Sequence, residues 1–381
     1  MATSNDMLFD VCSWLPAKSI YRFKIVSRLF SSFMEETYFV SKQAQNALLK
    51  DDTCFFIQEE VLLIFLKGNN EFYPLPGKKL SSGVSNDVLQ FLSNSANILA
   101  SSNGLILYYT INQNEVALFI SNPAIKFLLS IPTPKPMYEN PFADIKISLK
   151  CDSDDCMVVF FYTCPDDWCS YYCKVYLFKE GVWKDKEENF FGGSRNLIFD
   201  MPVHHNGAIY FISDSFPYIN KKSVYFKPYI MSYDLNNGKS GKLKVAKEAR
   251  RGSHDFSCRM RIFNWGKITS SDRSICLVRL RKHVFTIWVL INSESSLWRK
   301  ILKVRVKAMG LAEKDPIIKG FVVLNGDLLI FATEKKVYSY GLKDEQYMRI
   351  EEICEHGCES YVHFIPYSST SRTCDVKVET S

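Results

Sequence analysis

The chain has 381 residues, of which 47% are hydrophobic and 23% are charged, and this length and composition exceed what one small domain needs. A formal charge of +6 is a mild excess, far from the dense basic stripe of most nucleic-acid-binding proteins. The first six residues lack the positive segment of a secretory signal, and the longest clearly apolar run, residues 61–66, is far shorter than the about 20 residues of a membrane helix. We therefore expect two domains, a location in the cytoplasm or nucleus, and neither a membrane nor a nucleic-acid partner.

Helical periodicity characterises the first part of the chain. Apolar residues recur there at steps of three or four, apart from a gap at Pro16. Asp6 is suited to cap a first helix, Pro16 to end it and start a second, and Ser27 to cap a third. Such a unit of about 40 residues is near the lower limit for independent folding, so part of its apolar surface should contact another protein. The alternative is that the helices pack on the rest of the chain.

Residues 8–43, LFDVCSWLPAKSIYRFKIVSRLFSSFMEETYFVSKQ, resemble the F-box, the adaptor-binding motif of cullin-RING ubiquitin ligases. The matching positions are Leu15-Pro16, Ser19-Ile20, Val26-Ser27-Arg28 and Phe39. The chain differs from the family in having Asn5-Asp6-Met7-Leu8 in place of the opening Leu-Pro and Phe30 in place of the usual Trp, but Leu8 and Phe30 keep these places apolar.

The resemblance implies that residues 1–50 bind a Skp-family adaptor and, through it, a cullin-RING ligase. The residues that it implies for this contact are Leu8, Val11, Leu15, Pro16, Ile20, Phe23, Val26 and Phe30.

From Cys54 onwards the sequence consists of short apolar runs that predict β-strands, because they are rich in Val, Ile, Phe and Tyr and bounded by Gly, Asn, Asp and Pro. A turn signal precedes such a strand at Asn103-Gly104, Asp154-Asp155, Asn206-Gly207, Trp265-Gly266 and Asn325-Gly326. A second, aromatic strand follows in each unit, marked by Phe119, Tyr176, Tyr233, Trp288 and Tyr340. The units repeat every 50 to 60 residues, which predicts a kelch-like β-propeller. A large irregular β-sandwich is the alternative.

Several motifs of this region resemble the F-box-associated domains of plants, a family that joins an F-box to a kelch-like propeller. The motifs are GLILYY with Ser121-Asn122-Pro123, Gly181-Val182-Trp183-Lys184, HHNGAIYFI, Tyr233-Asp234-Leu235, FTIWVLI with Ser296-Leu297-Trp298-Arg299, and LNGDLLIF with VYSYGL. The resemblance implies a plant source and a target protein bound by the propeller. We therefore expect a small N-terminal α-helical F-box at residues 1–50, an all-β, kelch-like β-propeller at residues 51–368, and a flexible tail at residues 369–381.

Closure of a propeller requires its first and last strands to cover each other's edges. We expect the strand near residues 54–58, or the one at residues 61–66, to lie beside the C-terminal strand at residues 361–365.

The cysteines and histidines predict no metal or cofactor. Cys151, Cys156, Cys164, Cys169 and Cys173 lack the paired CxxC spacing of zinc sites, and we expect them to be free thiols. Cys354, His356 and Cys358 form a second group without a further ligand pair nearby.

No catalytic residues are predicted, since the chain has neither a Gly-rich phosphate loop nor a nucleophile elbow. His204-His205 precede a turn and fit an ordinary hydrogen-bonded role. Three basic stretches occur at residues 239–251, 279–283 and 299–307. Alternation of cations with apolar residues in the last stretch predicts a strand with one exposed face; the alternative is a positive face that receives an acidic target.

These features favour a non-catalytic substrate-recognition subunit of an SCF-type (Skp-cullin-F-box) ubiquitin ligase, with an unidentified protein target on the propeller. The alternatives are a propeller scaffold with no ligase link and a propeller enzyme.

Overall fold

A computed structural model of the chain contains an N-terminal group of α-helices followed by antiparallel β-sheets. The structure describes residues 4–49, 53–60, 70–74, 92, 96–112, 115–134, 146–151, 155–164, 166–186, 189–214, 220–255, 257–266, 273–342 and 349–374.

The helical unit, defined here as residues 4–49, contains four helices rather than the predicted three. They are α1 (Ser4–Ser13), α2 (Ala17–Val26), α3 (Arg28–Glu35) and α4 (Thr37–Leu49). Pro16 precedes α2, where its missing N–H leaves no helical hydrogen bond unmade. Ser27 is extended and ends α2, and its carbonyl then accepts the Ser31 N–H at the start of α3. The prediction missed α4 because its inward face includes the buried polar residues Gln43 and Asn46, which interrupt the apolar periodicity.

A small apolar cluster holds the helical unit together. Cys12, Ile20 and Phe39 form its buried centre. The buried Asn46 amide adds a polar link between α4 and α1, because its Nδ2 donates to Ser13 Oγ at 2.8 Å and to Ser13 O at 3.3 Å. The unit therefore has a core of its own, although a small one.

The strands of the described residues form six sheets, which we call blades I to VI. Blade I contains β3 (Asn97–Ser102), β4 (Leu105–Asn112), β5 (Glu115–Asn122) and β6 (Phe127–Ile131); blade II contains β7 (Lys146–Cys151), β8 (Cys156–Cys164), β9 (Asp167–Leu177), β10 (Val182–Asp185) and β11 (Phe190–Phe191). Blade III contains β12 (Leu197–His205), β13 (Ala208–Ser213), β14 (Tyr229–Asp234) and β15 (Ser240–Lys244); blade IV contains β16 (Arg259–Trp265), β17 (Ser274–Arg281), β18 (Val284–Asn292) and β19 (Leu297–Arg305). Blade V contains β20 (Gly320–Leu324), β21 (Leu328–Ala332), β22 (Lys336–Gly341) and β23 (Ile350–Glu355); blade VI contains β24 (Val362–Ser368), β1 (Thr53–Glu59) and β2 (Asn70–Pro74).

The blades form a closed ring. Contacts between them run from β3 to β7, β12, β16, β20 and β24, and from β24 back to β3. These are the innermost strands, and sheets arranged in this way around a central channel make a β-propeller. The predicted fold class, a small helical F-box-like unit followed by an all-β propeller, is confirmed, and the irregular sandwich is excluded.

The sequence repeat corresponds to the blades. The turn signals lie between the first and second strands of blades I to V, except that Asp154 falls outside the described residues. All five aromatic markers lie on the third strands, β5, β9, β14, β18 and β22. The five repeated units of the sequence therefore correspond to blades I to V.

Strand β1 closes the ring by pairing with β24, as predicted. The two are antiparallel, and the register sets Phe56 opposite Ile365 and Ile57 opposite Phe364. The other candidate strand, at residues 61–66, lies outside the described residues. Blade VI thus combines the two ends of the propeller sequence.

Two tryptophans from the resembling motifs link neighbouring blades in the same way. Trp183 Nε1 on β10 donates to Pro132 O, which follows the outer strand β6 of blade I, at 2.7 Å. Trp298 Nε1 on β19 donates to Lys244 O, at the end of the outer strand β15 of blade III, at 2.9 Å. The tryptophan of each motif therefore joins an outer strand to the blade before it.

The flexible tail does not start at residue 369 as predicted. Ser369, Thr370, Ser371, Arg372 and Cys374 are buried. The fully buried Asn122 holds this segment, since its Nδ2 donates to Thr370 O at 2.7 Å and Arg372 O at 2.8 Å while its Oδ1 accepts the Ala124 N–H at 3.1 Å. Residues 375–381 lie outside the described residues.

Asn122→Ala should destabilise the protein by about 2 to 4 kcal/mol, because it leaves two buried carbonyls without donors. Urea unfolding measures this change. Asn236→Ala, the same change at an exposed position, should cost less than about 0.5 kcal/mol. Equal stability of the two variants would contradict the role of Asn122.

A disulfide joins Cys151 and Cys156, so the prediction of free thiols is wrong for this pair. The hairpin between β7 and β8 sets the two residues directly opposite each other, which their spacing in the sequence does not reveal. Cys164, Cys169 and Cys173 are not disulfide-bonded, and burial raises the pKa of the Cys173 thiol to about 12.

Candidate functional site

The structure divides the eight residues predicted to bind an adaptor into two groups. Ile20 is only 2% exposed and belongs to the core of the helical unit, where Leu8, Leu15 and Phe30 pack partly buried against it. The exposed residues are Val11, Pro16, Phe23 and Val26. The first group shapes the surface, and the second is accessible to a partner.

Further exposed apolar residues of the helical unit were missed by the sequence analysis. We define the exposed apolar set as Met7, Val11, Trp14, Tyr21, Phe23, Ile25, Val26 and Tyr38. These are eight of the sixteen exposed large apolar side chains of the described residues, although the unit is a small part of the chain. Ile25 and Val26, which are adjacent on α2, are 79% and 77% exposed.

The helical unit is also attached to the propeller. Gln43 on α4 is fully buried; its Nε2 donates to Leu15 O at 3.1 Å. Its Oε1 accepts from Ser371 N at 2.8 Å and from Ser371 Oγ at 2.9 Å. Helix α2 contacts the 3-10 turn Pro123–Ile125 of blade I. The alternative of packing on the same chain is therefore true of this side of the unit, while the exposed apolar set is left uncovered by the described residues.

The helical unit lies at one end of the ring. The β3–β4 turn and the turn Pro123–Ile125 are at the same end of blade I, since antiparallel strands alternate in direction. Thr370 in the buried C-terminal segment also reaches this end, because its Oγ1 donates to Asn103 O at 2.9 Å. We call this the helical end. A blade of four antiparallel strands returns the chain to the end at which the blade began, so corresponding turns of successive blades lie at the same end. The turns between first and second strands therefore lie at the helical end, and the turns between second and third strands lie at the opposite end, which we call the distal end.

His204 and His356, two of the histidines singled out from the sequence, have structural hydrogen bonds. His356 Nε2 lies 3.1 Å from Thr333 O, and its Nδ1 accepts the Cys358 N–H at 3.3 Å. Burial raises the pKa values of Cys354 and Cys358 to about 12. His204 Nε2 lies 2.7 Å from Ser148 Oγ, across the contact between blades III and II.

Three other side chains could hold a metal ion. Single ligand atoms of Glu60, Asp200 and His363 lie within 4.8 Å of one another. His363 Nε2 is 3.8 Å from Glu60 Oε1 and 3.9 Å from Asp200 Oδ2. Imidazole and carboxylates suit several divalent metals, and the same groups form ion pairs when His363 is protonated. No spacing in the sequence could have brought these residues together, because they come from blades VI and III.

None of the helices that the structure describes is long and apolar enough to cross a membrane.

Comparisons with known proteins identify the family. Residues 65–362 match the family described as "F-box protein At3g26010-like, beta-propeller". The F-box protein At5g65850 of Arabidopsis thaliana is 25% identical over 307 residues, covering 77% of this chain and 69% of that protein. The F-box protein At5g49610 of the same plant is 21% identical over 360 residues, covering 88% and 87%.

Among solved structures, TolB from Acinetobacter baumannii aligns with 90% of this chain and 73% of its own, at 12% identity and a TM-score of 0.46. The family match covers most of the chain and includes blades I to V entirely. The chain therefore belongs to the At3g26010-like family of plant F-box proteins with a β-propeller.

Proposed function

We propose that this chain is the non-catalytic substrate-recognition subunit of an SCF-type ubiquitin ligase. The helical unit binds a Skp-family adaptor, and through it a cullin-RING ligase, while the propeller binds a target protein in the cytoplasm or nucleus. Membership of this family and similarity to the F-box proteins At5g65850 and At5g49610 support this proposal.

The exposed apolar set is the observation that carries the proposal. Solvent-exposed apolar side chains concentrated in one small region are typical of interaction sites. Val11, Ile25 and Val26, which are 64%, 79% and 77% exposed, are not needed for the core of the helical unit. An adaptor that covers them would bury apolar area without changing the fold.

Co-purification tests the proposal. The full-length chain, mixed with a recombinant plant Skp-family adaptor, should elute from size exclusion as a complex of both proteins. Adaptor alone and chain alone provide the controls. Absence of a complex would refute the ligase role and leave the scaffold function in its place.

A further inference from the structure

A basic pocket at the distal end of blade IV has no role in the adaptor contact. Its volume is about 670 Å³. It is lined by Arg279, Arg281, Lys282, Val284, Lys303, Val304 and Arg305. Five of these seven residues are cations.

Strand register collects most of these cations on one face of the sheet. Val284 on β18 lies opposite Arg281 of β17 and Arg305 of β19. In the next row on the same face, Thr286 lies opposite Arg279 and Lys303. Alternate residues of a strand share a face, so four cations, two on β17 and two on β19, lie on either side of β18. The opposite face belongs to the apolar core, to which Leu280, Phe285 and Leu302 contribute.

Neighbouring carboxylates neutralise only part of this charge. Asp255 Oδ2 lies 3.3 Å from Arg281 Nε and 3.9 Å from Lys282 Nζ. Glu248 Oε1 lies 3.5 Å from Lys303 Nζ. Glu248 Oε2 also lies 2.8 Å from Nζ of Lys300, which does not line the pocket, so Glu248 divides its charge between the two lysines. Five lining cations against two carboxylates leave a local charge of +3. Arg305 forms no ion pair among the residues that the structure describes.

Arg279 is a buried cation at the pocket that no carboxylate neutralises directly. It is only 8% exposed, its Nη1 donates to the carbonyls of Glu248 at 2.9 Å, Ala249 at 3.3 Å and Arg251 at 3.3 Å, and its guanidinium lies 5.3 Å from the centroid of the Trp288 ring. Arg279 Nε and the adjacent Thr286 Oγ1 are buried and have no hydrogen-bond partner within the described part of the chain. A buried cation and an unsatisfied hydroxyl both cost free energy, and an anion bound in the pocket above them would offset part of the cost of the Arg279 charge through electrostatic attraction.

The hairpin that borders the pocket has an unusual sequence. Lys282 and His283 both have positive φ, 49° and 56°. The chain uses Asn-Gly for such turns elsewhere, at Asn103-Gly104 with φ of 50° and 84° and at Asn206-Gly207 with 48° and 76°. A residue with a Cβ is less stable in this conformation than Gly, and Asn, Asp and His are the non-Gly residues enriched there. Lys282, which lines the pocket, and His283 are therefore less favourable turn residues than Asn-Gly.

We propose that this pocket binds a short anionic segment of the target protein through its carboxylate or phosphate groups. The proposal rests on the proposed function, because the segment belongs to a protein that the ligase receptor captures. The volume suits a few side chains rather than a folded surface. A pocket of this size takes only a few charged groups, whereas nucleic-acid binding usually depends on many phosphate contacts along an extended surface. The distal location leaves the helical end free for an adaptor at the same time.

Fluorescence anisotropy with the full-length chain tests the site. Three labelled synthetic peptides of equal length serve as probes, one rich in glutamate, one with phosphoserines at the same positions, and one with glutamines there. Either anionic peptide should bind, with an affinity that falls as salt is raised, and the glutamine peptide should not. The stronger of the two anionic peptides distinguishes carboxylate from phosphate as the source of charge.

Charge reversal at the pocket locates the binding. Lys282→Glu with Arg305→Glu should weaken binding by about tenfold or more, because charge-assisted hydrogen bonds are lost. Arg299→Glu with Lys335→Glu, two exposed cations outside the pocket, makes the same change in net charge and should leave the affinity within about twofold. Equal losses, no binding of either anionic peptide, or tighter binding of a single-stranded oligonucleotide would overturn the proposal.

A turn replacement separates binding from folding. Lys282→Asn with His283→Gly gives the pocket hairpin the Asn-Gly sequence of the turns at Asn103-Gly104 and Asn206-Gly207. The variant should melt at the same or a higher temperature and yet bind the anionic peptide more weakly. Unchanged affinity would count against the site.

Adaptor co-purification is measured on the same samples. If the adaptor binds and neither anionic peptide does, the pocket proposal alone fails, whereas peptide binding without adaptor binding refutes the ligase role.

Discussion

Deletion of residues 359–381 should abolish cooperative folding of the whole propeller. The deletion removes β24, whose two faces belong to different clusters: Val362 and Phe364 pack with blades IV and V, whereas Ile365 and Tyr367 pack with blade I. Burial of these four side chains contributes about 6 to 12 kcal/mol, which is comparable to the total stability of a typical domain. The loss also leaves β1 without a partner on that edge. Circular dichroism and thermal unfolding measure the result.

Two shorter changes control for the deletion. Removal of residues 375–381, which lie outside the described residues, should leave the unfolding transition in place. Phe364→Ala in the full-length chain should cost about 3 to 5 kcal/mol and keep the transition cooperative. A folded, cooperative propeller after deletion of residues 359–381 would refute closure through β24.

Val26→Glu should abolish co-purification with a Skp-family adaptor. The side chain is 77% exposed in the isolated chain, so the helical unit should tolerate the charge. In a complex the carboxylate would be buried without a partner, which costs at least about 2 kcal/mol, or roughly thirtyfold in affinity. The same variant should still bind its target, because the pocket and the propeller core are unchanged. In a reconstituted ligase the target would then be bound but not ubiquitinated.

Val224→Glu is the matched control. Val224 is 78% exposed on the propeller, so the substitution makes the same chemical change at the same exposure. Its co-purification with adaptor should match that of the wild type. Leu15→Ala with Pro16→Ala should also abolish adaptor binding, but Leu15 packs on the core of the helical unit, so thermal unfolding has to accompany that test. Adaptor binding by Val26→Glu at the wild-type level would exclude Val26 from the interface.

Local patterns in the sequence were sufficient for the repeated part of the fold. The alternating strands and the Asn-Gly turns depend on residues a few positions apart, and the five units that they predicted are blades I to V. The start of α2 after Pro16 and the break at Ser27 were predicted for the same reason. Helix α4 was missed because its buried face includes the polar residues Gln43 and Asn46, which interrupt the apolar periodicity. Their side chains form hydrogen bonds to residues far away in the sequence, Ser371 and Ser13.

The candidate sites depended more strongly on the tertiary structure. The sequence analysis grouped Ile20 with Val26, and only the packing shows that the first is core and the second surface. The alternation of residues 299–307 predicted an exposed strand face, but the register of β17, β18 and β19 decided that its cations meet those of residues 279–282 at one pocket.

The sequence alone therefore determined a helical unit, five repeated β-units and the absence of an obvious catalytic motif, since each follows from composition or from the period of neighbouring side chains. The tertiary structure decided the sixth blade, in which β1 pairs with β24, the Cys151–Cys156 disulfide, and the burial of residues 369–372 against Asn122 and Gln43. These features join residues across the closed ring or across a turn. Their contacts stabilise the fold only when a particular strand register and the closure of the ring have set the partners opposite each other.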